Sequence, residues 1–346
     1  MFISERITMK LLLLVTVASL CVLGSFAKAS ECRAQRFVHF IRKYNKEYSS
    51  PADYFFRMKA FMRNCREIYE HNERYKKGLE TFEMEINQFT DSFEDERYFT
   101  GELPTDDPEE FEALPYHFSR NIDVPKEVDW RSKGVVTPVK DQGRCASCWA
   151  FTATAVVESQ YVMQTRNKLT DFSEQSLLDC ESSSGGCNGG STFYAVEFVM
   201  KHGIARGEDY RYTSVKGKCQ CKEKGCSDHP KILKILRLRS NSEVELMKVV
   251  AFLGPVAFTI DGGLNSFHHY RGGIYSDPNC RAYEKSHSMV IVGYGTDNGQ
   301  DYWLVKNSWG YGWGEKGYAR MARNKNNFCG IANNVFFPMY MTRQPW

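Results

Sequence analysis

One cysteine lies in a stretch whose residue types suit a nucleophile. The run QGRCASCWAF, residues 142–151, places Cys148 directly after Ser147, a residue type that often caps the start of a helix. The positive end of a helix dipole favours a thiolate there, and the thiolate is the reactive form of cysteine. The stretch therefore predicts a reactive thiol at Cys148. The plainer interpretation is that Cys145 and Cys148 both belong to a disulfide framework.

A cysteine nucleophile needs a base, usually histidine, and the base needs an orienting group. Of the eight histidines, His287 enters the most apolar run of the chain, where a strand end beside glycine-rich turns suits the wall of a cleft. A lone histidine in such a place is more often structural. Asn307 follows the next apolar run, and neighbouring strands could bring its amide to His287. His268 and His269 are adjacent, and we expect both at the surface.

The N-terminus has the pattern of a secretory signal peptide. Arg6 and Lys10 precede an apolar run over 11–26, and the small-x-small sequence at 27–29 suits cleavage before Ser30. The alternative is a membrane anchor, but the run is shorter than the ~20 apolar residues that a bilayer requires. We therefore expect a protein of the secretory pathway, lysosomal or extracellular, with no membrane attachment once the signal is removed.

An oxidising compartment gives the cysteine count a meaning. The chain has 12 cysteines, nine of them after position 140. Because nine is odd, at least one of these thiols has no disulfide partner within that segment, which is expected of a reactive thiol. The formal net charge is +3, and a balance so near neutrality gives no reason to expect a nucleic-acid partner.

The elements that must position these residues differ along the chain. Residues 33–100 are charged and carry apolar positions at helical spacing, as at Phe37, Phe40, Ile41 and Tyr44, so they predict a small helical unit. A second helix is expected to begin at Ser50-Pro51. Residues 101–123 are acidic and aperiodic, which predicts an exposed linker with a processing site near Asp123-Val124.

Beyond that boundary, a helical half precedes a strand half. Residues 147–163 and 191–203 read as helices, and short β-like runs begin at about 231. Such an order predicts two packed subdomains with a binding cleft between them. The expected strands are Ile232–Leu238, Val256–Ile260, Met289–Tyr294, Tyr302–Val305 and Tyr318–Met321.

Taken together, these stretches resemble the papain-like cysteine proteases, closest to the cathepsin L-like branch. The residues around Cys148 nearly match the family's local pattern, with Ala146 where glycine is usual. His287 and Asn307 follow 139 and 159 residues later. Residues 124–131 resemble the family's mature N-terminus. Two prosegment motifs are matched by Arg57, Phe61, Asn64, Ile68 and Asn72, with Asp53 for the usual Glu, and by Asn87, Phe89 and Asp91, with Glu85 for the usual Gly.

The resemblance implies an α+β papain-like fold with a helical left subdomain, a β-barrel-like right subdomain and the active-site cleft between them. A helical inhibitory prosegment would precede it. The implied organisation is a signal peptide at 1–29, a prosegment at 30–123 and a mature peptidase domain at 124–346. The expected activity is that of a cysteine endopeptidase made as an inactive precursor and activated by cleavage at acid pH.

The resemblance also implies the role of each candidate residue. Cys148 attacks the scissile carbonyl, His287 carries the proton, and Asn307 fixes the ring of His287. Gln142 donates its amide to the oxyanion beside the Cys148 N–H. Trp309 shields the His287–Asn307 bond from water. Gly189 and Gly190 let the substrate backbone approach and pair as an added strand.

Substrate choice in the family depends mainly on a pocket for the second residue before the cut, which is usually apolar. Here its walls align with polar residues, of which Lys285 is the oddest. We expect a weaker preference for large apolar residues and some tolerance of polar or acidic ones, because unpaired buried polar groups are costly. The plainer interpretation is that Lys285 extends into solvent. The aligned positions are Ser191, Thr192, Thr259, Lys285, Ser288 and Asn334.

The resemblance implies the disulfides Cys145–Cys187, Cys180–Cys219 and Cys280–Cys329, and leaves Cys148 free. Pairs Cys221–Cys226 and Cys32–Cys65 stay open. A rival interpretation is a zinc site, since Cys219, Cys221, Cys226 and His229 fall within eleven residues. Their spacing fits no common finger and the compartment favours oxidation, so we expect no metal and no cofactor.

Three other functions compete with an endopeptidase. A catalytically inactive relative acting as a binding protein is disfavoured because all four catalytic positions are filled. An exopeptidase usually has an inserted loop that blocks the cleft, and none is evident between Gly190 and Ser286. A transglutaminase-like enzyme is disfavoured by Asn307 and by the prosegment. The expected partners are peptide and protein substrates and the chain's own prosegment, with the protein acting as a monomer.

Overall fold

A computed structural model describes residues 32–93, 96, 101–103, 122–226, 232–238 and 241–340. These residues form two compact units, one of 32–80 and 84–93, the other of 81–83 and the described residues after 93. The proposed signal peptide and residues 104–121 of the linker lie outside the described ranges. No helix within those ranges is both long and apolar enough to cross a bilayer.

The first unit is built on two helices, α1 (Ala34–Lys43) and α2 (Pro51–Lys76). The α2 helix begins where the sequence predicts it. The Ser50 hydroxyl accepts a hydrogen bond from the Asp53 N–H at 3.1 Å, and Pro51 occupies the first turn, where its missing N–H costs nothing.

The apolar stripe of α1 packs against α2 and forms the core of this unit. Phe37 and Phe40 are buried against Phe61, and the Cys32–Cys65 disulfide ties the start of α1 to the middle of α2.

The return segment of residues 84–93 is held to the helices by polar contacts. The Asn64 amide donates to the carbonyls of Thr90 and Ser92, both at 2.9 Å. The Asp91 carboxylate pairs with Lys46 at 2.8 Å and accepts from the Tyr48 hydroxyl at 2.9 Å. Asn64 and Asp91 are two of the prosegment motif positions. Asn64 joins α2 to the return segment, and Asp91 joins the return segment to the connection between α1 and α2.

Among the described residues of the second unit, five α-helices have both ends defined. The first of them, α3 (Cys148–Thr165), is buried on all sides, in keeping with its high apolar content. Two of them, α3 and α5, confirm the helices expected at 147–163 and 191–203. The helices are α3 (Cys148–Thr165), α4 (Glu174–Cys180), α5 (Thr192–His202), α6 (Glu243–Leu253) and α7 (Asn265–His268).

The strands contain four of the five runs that the sequence predicts and the middle of the fifth, Ile232–Leu238, together with others that it does not predict. From β5 the sheet order is β5-β8-β7-β6-β4-β9-β3, with β2 paired beside β6. The strands are β1 (Phe82–Met84), β2 (Val128–Asp129), β3 (Lys234–Arg237), β4 (Val256–Ile260), β5 (Tyr270–Tyr275), β6 (His287–Asp297), β7 (Gln300–Lys306), β8 (Tyr318–Ala322) and β9 (Phe336–Met339).

The hairpin of β6 and β7 is the element that positions the histidine and the asparagine. Its two strands are antiparallel, with Val290 opposite Lys306. The first nine residues of β6 are buried, as expected for the most apolar run of the chain. His287 therefore begins β6 and Asn307 follows the end of β7, at the same end of the hairpin.

Disulfides account for every cysteine of the described residues except Cys148. In the second unit the bonds are Cys145–Cys187, Cys180–Cys219, Cys221–Cys226 and Cys280–Cys329. Cys180, Cys219 and Cys221 lie close enough together to share a metal ion. All three are bonded in disulfides, so they offer no thiolate, and the zinc interpretation finds no support in this donor set.

Candidate active site

Cys148 lies at the first position of α3 and is completely buried. Among the described residues it is the only free cysteine. Ser147 precedes the helix as expected, but the prediction that its side chain caps the helix is wrong. Its hydroxyl lies 2.7 Å from the Tyr212 hydroxyl instead. The backbone N–H groups of Trp149 and Ser288 act on the sulfur and favour its charged form.

His287 is held in one orientation by Asn307. Its Nε2 lies 2.8 Å from the Asn307 Oδ1, and both residues are buried. The Ser308 backbone N–H also donates to that Oδ1 at 2.8 Å, which identifies the facing atom as the amide oxygen. Because an oxygen accepts, His287 must donate through Nε2–H. The tautomer with Nδ1 as the basic nitrogen follows.

Trp309 covers this pair with its indole ring. The ring stacks on His287 with centroids 4.5 Å apart and on His268 with centroids 4.7 Å apart. The prediction that His268 and His269 lie at the surface is wrong, since their exposed fractions are 4% and 0%. The Trp313 Nε1–H donates to the His268 carbonyl at 3.0 Å and fixes the turn beneath Trp309.

Gln142 is fixed on the other side of Cys148. Its N–H donates to the Ser308 carbonyl at 2.8 Å, and its Oε1 accepts from the Ser308 hydroxyl at 2.6 Å. Its Nε2 donates one hydrogen to the Cys145 carbonyl at 3.0 Å. Since an amide nitrogen carries two hydrogens, this orientation is compatible with a second donor role.

A short covering segment, residues 101–103, lies over the thiol. A Cβ added to Gly101 would come within 2.5 Å of the Ala146 carbonyl oxygen and 3.1 Å of the Cys148 sulfur. The backbone thus approaches the nucleophile so closely that only glycine fits. Gly190 forms a parallel bridge with Glu102, donating to the Gly101 carbonyl and accepting from the Leu103 N–H, both at 2.8 Å.

Glu102 is the functional residue that sequence reasoning missed. Its carboxylate accepts from the Thr192 hydroxyl at 2.6 Å, the Ser288 hydroxyl at 2.5 Å and the Thr192 N–H at 3.2 Å. Within an acidic linker it resembled any other solvated carboxylate. The only signal was its place at the start of the segment expected to cross the cleft.

The remaining pocket candidates surround this site. Ser191 precedes α5 and is buried, and Thr259 is the cross-strand partner of Ser288. Asn334 is half-buried and donates to the Thr259 hydroxyl at 3.4 Å. Lys285 is also half-buried. At Gly189, a Cβ would lie 3.1 Å from the Gly101 carbonyl oxygen, so a side chain there would crowd the covering segment.

Burial raises the pKa values of two groups at the centre of the site, the Cys148 thiol and the Glu102 carboxyl. Burial raises the pKa of the Cys148 thiol well above its ordinary value, and the neighbouring Glu102 carboxyl adds to the effect. Burial likewise raises the pKa of Glu102 to about 7, although the hydrogen bonds from Ser288 and Thr192 and the charge of Lys285 oppose it. Burial therefore disfavours the thiolate while residues 101–103 cover Cys148.

A network of buried charges lies behind the site. Lys140 contacts Glu158 at 2.9 Å and Glu174 at 2.6 Å, and Lys306 donates to Thr137 at 2.9 Å. Burial lowers the pKa of Lys306 to about 8 and raises that of Glu174 to about 7. Since Lys306 directly precedes Asn307, this network supports the strand end from which the asparagine projects.

This geometry is that of a cysteine peptidase held in a precursor form. A free thiol begins a helix, a histidine is hydrogen-bonded to an asparagine, and the covering segment lies over the thiol. Comparison with known families agrees. Residues 124–339 match the papain family of cysteine proteases, and residues 37–96 match the cathepsin propeptide inhibitor domain. The chain belongs to the papain family of cysteine proteases and carries its own propeptide inhibitor domain.

Similar proteins come from several invertebrates. A cathepsin L-like proteinase of Fasciola hepatica is 42% identical over 304 residues, covering 86% of this chain and 91% of the relative. Digestive cysteine proteinase 2 of Homarus americanus is 37% identical, covering 87% and 93%. The structure of digestive procathepsin L 3 from Tenebrio molitor larval midgut is 37% identical, with a TM-score of 0.80 and coverage of 88% and 98%. The expected papain-like α+β fold is thereby confirmed.

Proposed function

We propose that this protein is an endopeptidase in which Cys148 is the nucleophile, His287 the proton carrier and Asn307 the orienting group. The observation that carries the proposal is the His287–Asn307 hydrogen bond at 2.8 Å. It occurs beside a free thiol whose sulfur is near the N–H of Ser288, the residue after His287.

Once the covering segment leaves, water and the helix dipole favour the thiolate, and the basic Nδ1 of His287 takes the proton. The sulfur then attacks the scissile carbonyl. The Cys148 N–H and the second Nε2 hydrogen of Gln142 stabilise the oxyanion. His287 gives its proton to the leaving amine, and water attacks the thioester to release the acid and restore the thiol. Trp309 keeps water from the His287–Asn307 bond throughout.

The covering segment explains how the precursor stays inactive. Gly101 lies against the nucleophile, and Glu102 fills the neighbouring pocket, so no substrate carbonyl can reach Cys148. The propeptide match ends at residue 96 and the peptidase match begins at 124, which supports cleavage near Asp123-Val124. Asp123 is exposed, as a processing site requires.

We expect acid to activate the precursor because protonation of carboxylates in the linker weakens its hold on the cleft. The carboxylates expected to respond, Asp106, Asp107, Glu109, Glu110 and Glu112, lie outside the described residues. Protonation of Glu102 acts in the opposite direction, because its raised pKa makes the closed arrangement, with Glu102 in the pocket, more stable in acid. Activation at low pH would therefore depend on other groups.

The proposed route is entry to the secretory pathway by the signal peptide at 1–29 and maturation in a lysosome or outside the cell. Five disulfides among the described residues support an oxidising compartment. The mature enzyme would act as a monomer on peptides and proteins, without a cofactor.

The test is labelling of the acid-treated full chain with a thiol-directed peptidyl electrophile, together with peptide hydrolysis. We expect one label, at Cys148, and loss of hydrolysis in proportion. Cys148→Ser should abolish both while leaving the circular dichroism unchanged, because a hydroxyl of similar shape is far less ionised. Hydrolysis by the serine variant would contradict the assignment of the nucleophile.

A further inference from the structure

The pocket that receives Glu102 is built from hydrogen-bonding groups. Thr192 offers both its N–H and its hydroxyl, and Ser288 offers a hydroxyl 2.8 Å from that of Thr192. Thr192 and Ser288 are 0% and 1% exposed. Behind Ser288 stands Thr259, itself bonded to Asn334. An apolar side chain here would leave buried donors without acceptors.

Glu102 occupies the place of a substrate side chain. Its neighbour Gly101 lies against the Cys148 sulfur, and both flanking peptide groups bond to Gly190. The Glu102 N–H donates to the Ser286 carbonyl at 3.1 Å. A substrate paired with Gly190 as an added strand would direct one side chain into this same pocket.

We propose that this pocket selects substrates with a glutamyl or glutaminyl side chain at the second residue before the cut, with Thr192 and Ser288 as the specificity-determining residues. The inference rests on the proposed function, because it names the substrate class of the same site. Both side chains have the length of Glu102 and present a carbonyl-type oxygen to the Thr192 N–H and the two hydroxyls.

Leucine and phenylalanine are rejected for a physical reason. A site built to hydrogen-bond a polar group discriminates strongly against analogues that lack it, because its own polar groups are then left unpaired. Lys285 contributes at the rim by its charge, which lowers the pKa of Glu102. The direct contacts, however, come from Thr192 and Ser288, so these two residues determine selection.

The experiment uses the full chain after acid processing and a set of peptide amides that differ only at the second residue before the cut: Glu, Gln, Leu and Phe. At about pH 5.5 we expect kcat/KM for Glu and Gln to exceed that for Leu at least tenfold. Thr192→Val and Ser288→Ala should each lower the Glu-to-Leu ratio roughly tenfold, since each removes a hydrogen bond, with the loss in kcat/KM falling mainly on the Glu peptide. The exposed Thr296→Val is the matched control and should leave the ratio unchanged.

Equal or better cleavage of the Leu and Phe peptides, with ratios unmoved by Thr192→Val and Ser288→Ala, would overturn the inference while leaving the peptidase function intact. Failure of the proposed function would look different, because Cys148 would then resist the peptidyl electrophile and no peptide would be cut. The uncleaved chain gives a second measurement. Glu102→Leu should expose Cys148 to alkylation and Glu102→Gln should not, and the reverse order would also overturn the inference.

Discussion

Replacing Glu102 by glutamine should remove a pH dependence from the inactive precursor. In the closed arrangement, burial raises the pKa of Glu102 from its ordinary 4.5 to about 7. A carboxyl whose pKa is raised on closing stabilises the closed state fully below its ordinary pKa, and this stabilisation is lost as the pH rises through the higher value. Glutamine has the same shape and cannot ionise, so its variant should stay closed across this range.

The magnitude follows from the two pKa values. Each pKa unit corresponds to about 1.4 kcal/mol, so protonation of Glu102 favours closure by up to about 3.5 kcal/mol. The ratio of open to closed chains should therefore rise roughly 80-fold between pH 4.5 and pH 7, and by roughly 300-fold over the full titration. The groups that act on this carboxyl are the Lys285 cation, which lowers its pKa, and the neutral Thr192 and Ser288, with the Cys148 thiol alongside.

The readout is the rate at which Cys148 reacts with a small aromatic disulfide probe, measured from pH 4.5 to 8. The experiment is done in a His287→Ala background so that the chain cannot process itself. Dividing the rate for the Glu102 chain by that for Glu102→Gln removes the intrinsic pH dependence of the thiol. The exposed Glu223→Gln is the matched control and should behave as the unchanged chain does.

The reasoning is refuted if Glu102→Gln reacts with the same pH profile as the unchanged chain, because the titrating group would then be another residue. It is equally refuted if the ratio falls as the pH rises, since that sign would mean that the ionised carboxylate is the form held in the pocket.

Two stability predictions concern residues around the site. Cys145→Ser breaks a disulfide and should lower the free energy of unfolding by roughly 2–5 kcal/mol, measured by chemical denaturation of the Cys148→Ser chain; an unchanged midpoint would contradict it. Lys140→Met leaves Glu158 and Glu174 buried without their cation and should cost roughly 3–5 kcal/mol. The exposed Lys201→Met, in contrast, should cost less than about 1 kcal/mol, and equal losses would show that the Lys140 network is not the cause.

The sequence by itself determined the candidate residues of the proposed reaction. Cys148 was distinguished by its local run and by the odd cysteine count, and His287 and Asn307 by their places at the ends of two apolar runs. Those runs became β6 and β7 because continuous apolar sequence is stable only in a buried strand or helix. Local patterns also gave the start of α2 at Pro51, since capping depends on neighbouring residues alone.

The contacts that only the tertiary structure decided are those between residues far apart in sequence. Glu102 meets Thr192 and Ser288 across separations of 90 and 186 residues, and no local pattern marks one carboxylate of an acidic linker as buried. His268 and His269 were expected at the surface because adjacent residues point in different directions. Trp309 and Trp313 cover that turn in the folded chain. Burial is a property of the whole packed chain, and burial raises the pKa values of Cys148 and Glu102, so these shifts could not be inferred from sequence alone.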